Sequence, residues 1–174
     1  MFTKNKKLKI STRGFSLIET MVAITILVMV ITGPITLASN SLKAASVSKN
    51  NFIASNLAQE GVELIRLLRT NNVIQGNDWM QDIRNGQDNC NGSCYVDAKS
   101  LTLQHCTGQC PFLNIDSGGF YNYTSGTPTI FRRTISVQNV GAAGAYRIVV
   151  TIDWTERYGA QSIVLEEIIH DWIQ

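Results

Sequence analysis

The distribution of apolar and polar positions divides the chain into four stretches. Residues up to Arg13 hold five cations, Lys4, Lys6, Lys7, Lys9 and Arg13, and no acid. From Phe15 to about Ala38 nearly every side chain is Leu, Ile, Val, Met, Phe, Ala, Thr or Gly, with Glu19 as the exception. That run reaches the roughly 20 residues that a helix needs to cross about 30 Å of hydrocarbon. Beyond Ala38 the apolar residues thin to a helical spacing: Leu42, Ala45, Phe52, Ile53, Leu57, Gly61, Leu64, Ile65 and Leu68 recur at intervals of three and four. Lys43, Lys49, Asn56, Gln59, Glu63, Arg66 and Arg69 occupy the other faces. The two patterns predict one helix from Phe15 to about Thr70, about 84 Å long at 1.5 Å per residue, stopping at Asn71-Asn72. Its second half would be the strip on which a sheet packs, with Gly61 admitting a close approach. Gly33-Pro34 interrupts the apolar half, and because Pro34 cannot donate to the Val30 carbonyl, a kink or local loosening is predicted there.

Residues 71 to 130 are rich in Asn, Gly, Asp and Ser, with turn signals at Gln75-Gly76-Asn77-Asp78, Asn85-Gly86 and Asp116-Ser117-Gly118-Gly119. Trp79, Met80 and Ile83 suit a short helical turn over the core edge. Tyr95-Val96 and Leu101-Thr102-Leu103 suit very short strands. The period then changes to two. Phe131, Ile135 and Val137 alternate with Arg132, Thr134 and Ser136. Tyr146, Ile148, Val150, Ile152 and Trp154 alternate with Arg147, Thr151, Asp153 and Thr155. A third, less regular β-rich run covers Ser162 to Trp172. This predicts an antiparallel meander with one buried face, and a helix followed by a meander is an α+β fold. The expected organisation is a leader over 1–14, a transmembrane half-helix over 15–38, an amphipathic half-helix over 39–70, and a globular head over 71–174 with a cysteine-rich loop at 90–110.

A carboxylate inside an apolar span costs on the order of 2.5 kcal/mol or more near the bilayer centre, so Glu19 calls for a partner. A plain signal anchor accounts for the basic flank and the apolar run. An ordinary secretory signal needs a shorter apolar core and a small-x-small cleavage site, which Thr36-Leu37-Ala38 matches poorly. Neither accounts for a glycine at the charge boundary with an acid five residues after it. Gly14-Phe15-Ser16-Leu17-Ile18-Glu19 resembles the type III signal of type IV prepilins and pseudopilins. The resemblance covers the leader and first helix, and implies that a membrane aspartyl peptidase cuts between Gly14 and Phe15 and methylates the new Phe15 amine. It also implies that Glu19 meets a neighbouring subunit's terminal amine, and that the helix melts locally near Gly33-Pro34 on filament assembly. Electrostatics agrees with the role given to Glu19. An amine at a helix N-terminus faces the positive end of the macrodipole, and a carboxylate from another chain would neutralise it while fixing register.

The long helix followed by a sheet near the C-terminus also looks like a pilin head. The Arg-Thr-Ile, Thr-Ile-Asp-Trp and closing Val-Leu strands are most similar to those of minor pilins and type II secretion pseudopilins. The four cysteines, Cys90, Cys94, Cys106 and Cys110, do not bracket the C-terminal region as the long disulfide loop of a major pilin would.

The 174 residues suit a single domain. The net charge of +2 changes sign once the leader is removed, since 10 basic residues then stand against 13 acidic ones, a formal −3. The remaining cations are scattered, so a nucleic-acid partner is not expected. A head outside the cytoplasm favours two disulfides. The alternatives are a zinc ion held by the four thiolates, with His105 as a substitute ligand, and free thiols. Three disulfide connectivities are open, and in each the cysteines staple a region with little core of its own. Asp78, Asp82, Asp88 and Asp116 match no calcium motif. Asn91-Gly92-Ser93 and Asn122-Tyr123-Thr124 fit the short glycosylation pattern. No nucleotide loop, His-Glu metal motif or nucleophile elbow occurs, and His105 and His170 read as surface or satisfied residues, so no enzymatic activity and no cofactor are expected.

The expected function is a structural, minor subunit of a pilus or pseudopilus. Its partners would be the prepilin peptidase, other pilin or pseudopilin subunits, an inner-membrane assembly platform and, before assembly, membrane lipid. The alternative is a monomeric, membrane-anchored extracellular binding module whose anchor stays uncut.

Overall fold

A computed structural model describes residues 14–84, 89–141, 144–157 and 159–171. The elements are helix α1 (Leu17–Ile74) and strands β1 (Cys94–Val96), β2 (Leu103–His105), β3 (Phe112–Ile115), β4 (Tyr121–Asn122), β5 (Thr127–Asn139), β6 (Ala145–Glu156) and β7 (Gly159–His170). Two compact units divide between Val47 and Ser48. The first holds the apolar part of α1, and the second holds the remainder of α1 with all seven strands.

In the second unit α1 packs on an antiparallel sheet, giving an α+β, pilin-like arrangement. β5 is the central strand. It pairs with β6 along one side, from Arg132↔Asp153 to Asn139↔Tyr146, and with β3 and β1 along the other. β6 pairs without a break with β7, from Glu156↔Gly159 to Ala145↔His170. Period-two burial on β5 and β6 turns Phe131, Ile135 and Val137, and Ile148, Val150, Ile152 and Trp154, toward the helix. Val96, Leu113, Met80 and Ile83 close the core. Each large apolar side chain buried this way contributes about 1.5–3 kcal/mol.

The helical strip differs from the one predicted. Ala54, Leu57, Ala58, Gly61, Val62, Leu64 and Ile65 are buried, whereas Leu42, Ala45 and Phe52 are exposed. Small residues share the contact with Leu57, Val62, Leu64 and Ile65 because the sheet comes close: a Cβ on Gly61 would lie 2.8 Å from Val150 Cγ1 and 3.1 Å from Arg133 Cδ. A reading keyed to bulky side chains passes over alanines that serve this purpose.

The helix also runs a turn beyond the predicted stop. Gly76, at φ +74°, ends it: Gly76 N–H donates to the Val73 carbonyl at 3.0 Å, and Asn77 N–H to the Asn72 carbonyl at 2.9 Å. These are the two bonds of a Schellman cap, which needs the left-handed conformation that glycine supplies. Leu101 and Thr102 are not strand. Leu101 has φ 54° in a turn closed by its N–H on the Asp97 carbonyl and by Asp97 N–H on the Thr102 carbonyl, so β2 begins only at Leu103. β3 and β4 were not anticipated, since four and two residues are too few to show a period.

Arg133 points into the core between Phe131 and Ile135 and is fully buried. It donates through Nη2 to the Val96 carbonyl at 2.9 Å and through Nη1 to the Leu57 carbonyl at 3.4 Å, and it lies 3.4 Å from the Glu60 carboxylate. Its guanidinium sits 5.9 Å from the Tyr123 ring centre. Burial pushes the Tyr123 phenol up to about 12, against the opposing pull of Arg133. One side chain thus ties helix, β1 and β5 together, and its charge is tolerable inside only because carbonyls and a carboxylate surround it.

Candidate functional site

Gly14, Phe15 and Ser16 precede the first helical residue. The Ser16 carbonyl accepts from Glu19 N–H at 3.0 Å and Thr20 N–H at 3.2 Å, which makes Ser16 the N-cap. Among the described residues nothing lies within 4 Å of a Cβ built on Gly14, and Phe15 is 80% exposed. Glu19 lies in the first turn, where the helix dipole favours an anion.

From Leu17 to Ala38 no side chain is buried, and the helix is long and apolar enough to cross a membrane. Its threonines are satisfied by the helix itself. Thr20 Oγ1 donates to the Leu17 carbonyl, Thr25 to Met21 and Val22, Thr32 to Met29, and Thr36 to Gly33 and Thr32. Such back-bonding suits a solvent that offers no hydrogen bonds. The Glu19 carboxylate, by contrast, has no hydrogen-bond or ion-pair partner among the described residues. Pro34 lies inside α1, which is helical on both sides of it. The basic leader, Lys4 to Arg13, lies outside the described residues.

In the head the cysteines pair locally. Cys90 is bonded to Cys94 and Cys106 to Cys110, with Cα separations of 4.9 and 5.1 Å. In the chain-entropy picture loops this short contribute roughly 2 kcal/mol each. The Cys90 carbonyl accepts from Val137 N–H at 2.7 Å and Cys106 N–H donates to the Ser93 carbonyl at 2.8 Å, so both clips are stitched to the sheet region. The sulfurs are consumed in these bonds, which removes the thiolates a zinc ion would require. His105 is exposed, and its Nδ1 lies 3.1 Å from the Asn89 carbonyl.

Two of the four acids compared with a calcium motif serve local turns. Asp78 Oδ1 accepts from Met80 N–H at 2.8 Å, and Asp116 Oδ1 from Gly118 and Phe120 N–H groups at 2.9 and 3.0 Å. The Phe120 N–H, then Lys99, hold the Asp116 carboxyl below its usual range. Asp88 and the Asn85-Gly86 turn lie outside the described residues, and among those described no metal-binding group of His, Cys, Asp or Glu forms. Asn122 of the second glycosylation pattern is fully buried, with Oδ1 accepting from Thr124 and Ser125 N–H groups, so a glycosyltransferase has no access to it. Asp97 is also buried. Desolvation acts to raise its carboxyl, but the N–H groups of Tyr123, Ser100 and Lys99 hold it below the ordinary value.

Of the buried polar residues Asp97, Asn122 and Arg133, none foreseen, only Arg133 lies on a long strand. The strand period carries a signal for it, because position 133 shares the parity of Phe131 and Ile135.

Residues 10–33 match a family model described as the prokaryotic N-terminal methylation motif, the type IV prepilin and pseudopilin signal. No curated protein sequence and no solved structure gives a significant match. The match therefore bears on the cleavage region and the apolar helix and leaves the head to be read from its own residues.

Proposed function

We propose that the chain is a minor subunit of a type IV pilus or pseudopilus, held in the cytoplasmic membrane with its head outside the cytoplasm and then drawn into a filament. The observation that carries this reading is the Glu19 carboxylate, without a partner among the described residues in an apolar helix whose threonines are all satisfied internally. A prepilin peptidase cuts between Gly14 and Phe15 and methylates the new amine. The amine of one subunit then meets Glu19 of the next, an ion pair that fixes register between parallel helices. An inner-membrane platform transfers the helix from lipid to the filament, where other pilin subunits cover its apolar surface. Gly33 and Pro34 mark where the helix loosens as it packs. The two local disulfides, distinct from a loop that brackets the C-terminal region, support the minor rather than the major role. The protein is a substrate of the peptidase and does no chemistry itself.

The test is the intact mass and N-terminal sequence of the membrane-extracted protein from a host that has a prepilin peptidase. Loss of residues 1–14 and gain of one methyl group on Phe15 is the expected result. A mature chain that still begins at Met1 overturns it and assigns the protein to uncleaved membrane-anchored binding modules.

A further inference from the structure

The outer face of the sheet, turned away from α1, holds a cavity of about 450 Å³ at the end of the sheet where β6 turns into β7. Strand register builds it. Phe112, Arg132, Asp153 and Ser162 are successive cross-strand partners on β3, β5, β6 and β7, and so form one row on that face. Gln109 and Thr155 complete the polar rim, and Trp154, Ala160 and Gln161 border it along the β6–β7 end.

Two features separate this row from an ordinary solvated strand surface. Arg132 and Asp153 stand directly opposite each other, yet they form no ion pair. The guanidinium turns the other way, stacks 4.4 Å from the Phe112 ring centre and donates through Nη1 to Gln109 Oε1 at 2.6 Å. Among the described residues the Asp153 carboxylate is left without a partner, and Arg132 Nε is buried without one. Gln109 belongs to the loop closed by the Cys106–Cys110 disulfide, so that clip sets the position of the group that draws Arg132 aside.

We infer that this pocket binds a neutral saccharide. A hexose ring offers hydroxyls around its edge and an apolar patch of C–H groups on its face. The pocket offers an acceptor-only carboxylate, a donor-only guanidinium, and amides and hydroxyls that do both, beside a phenyl ring that is 48% exposed. One anion and one cation leave it without net charge. A phosphate or carboxylate ligand would meet repulsion from Asp153, and an amine repulsion from Arg132. A purely apolar ligand would strand the polar groups without hydrogen bonds. The volume lies in the range of small-ligand sites. The inference stands apart from the filament reading, since a head on an uncut anchor would bind equally well.

The experiment applies the purified full chain, in a detergent without a sugar headgroup, to immobilised glycans. The panel ends in galactose, N-acetylgalactosamine, glucose, N-acetylglucosamine or mannose, with sialylated and sulfated counterparts as separate arms. At least one neutral glycan is expected to bind. Asp153→Ala and Phe112→Ala should each weaken that binding tenfold or more, while Lys99→Ala, outside the pocket, leaves it unchanged. Ser162→Trp fills the exposed end of the row without touching the core and should abolish binding while the thermal midpoint holds. Failure to bind any neutral glycan, binding confined to the anionic arms, or binding indifferent to Ser162→Trp each overturns the inference. So does a photo-crosslink from position 162 to a neighbouring head in filaments, which would assign the cavity to subunit packing.

Discussion

The two halves of α1 are built from the same backbone conformation and obey opposite rules. Between Ala54 and Ile65 the helix buries Leu57, Val62, Leu64 and Ile65 together with two alanines and a glycine against strands of its own chain, and an arginine from the sheet reaches across to it. Between Leu17 and Ala38 it buries nothing, and residues such as Leu17, Ile18, Met21, Met29 and Leu37 are more than half exposed. Water would not tolerate so long an apolar stretch. An apolar run of this length suits a membrane, and under the proposed function lipid covers it first and other subunits afterwards. On that proposal Glu19 is the group that distinguishes the two surroundings, because lipid cannot pair it and an amine can.

The sharpest way to break that comparison is Glu19→Val. Removal of the carboxylate should leave processing intact and ease membrane insertion. Incorporation into filaments should fall at least about tenfold, because burying an amine without its counter-charge costs roughly 3–5 kcal/mol. Quantitative blotting of sheared filaments reads this, and normal incorporation would refute the register role. Next in size is Arg133→Ala. It removes the donor to the Val96 and Leu57 carbonyls and opens a hole beneath the helix, so the head should lose roughly 3–5 kcal/mol in chemical denaturation. Arg133→Lys, which keeps the charge but not the fork, should lose less. The finest contrast sets two glycines of one helix against each other. Gly61→Ala forces a methyl onto Val150 and Arg133 and should cost roughly 1–3 kcal/mol, seen as a drop of several degrees in the thermal midpoint. Gly33→Ala meets nothing within 4 Å and should leave the head's midpoint where it was.

Much of this was legible in the residues, and the reason differs from one element to the next. The boundary between Arg13 and Phe15, the lone acid and the long apolar run are local in sequence, and bilayer physics acts on them in sequence order. The strands β5 and β6 were legible because twelve or thirteen residues of period two leave few alternatives. Leu42 and Phe52 misled because helical spacing continues whether or not a sheet is there to meet it. Asn122 and Asp97 gave no sign of burial, since the turns that enclose them bring together residues far apart in the chain.

The sequence by itself determined the long apolar run, the N-terminal methylation motif, the glutamate inside it and the order of helix before sheet, all of which follow from the order, composition and period of neighbouring residues. Only the tertiary structure decided which cysteine joins which, that Ala54 and Ala58 join Gly61 in the contact with the sheet, which carbonyls receive Arg133, and that Arg132 turns from Asp153 toward Gln109. Those outcomes depend on distances between strands that register brings together, and no rule of local spacing contains them.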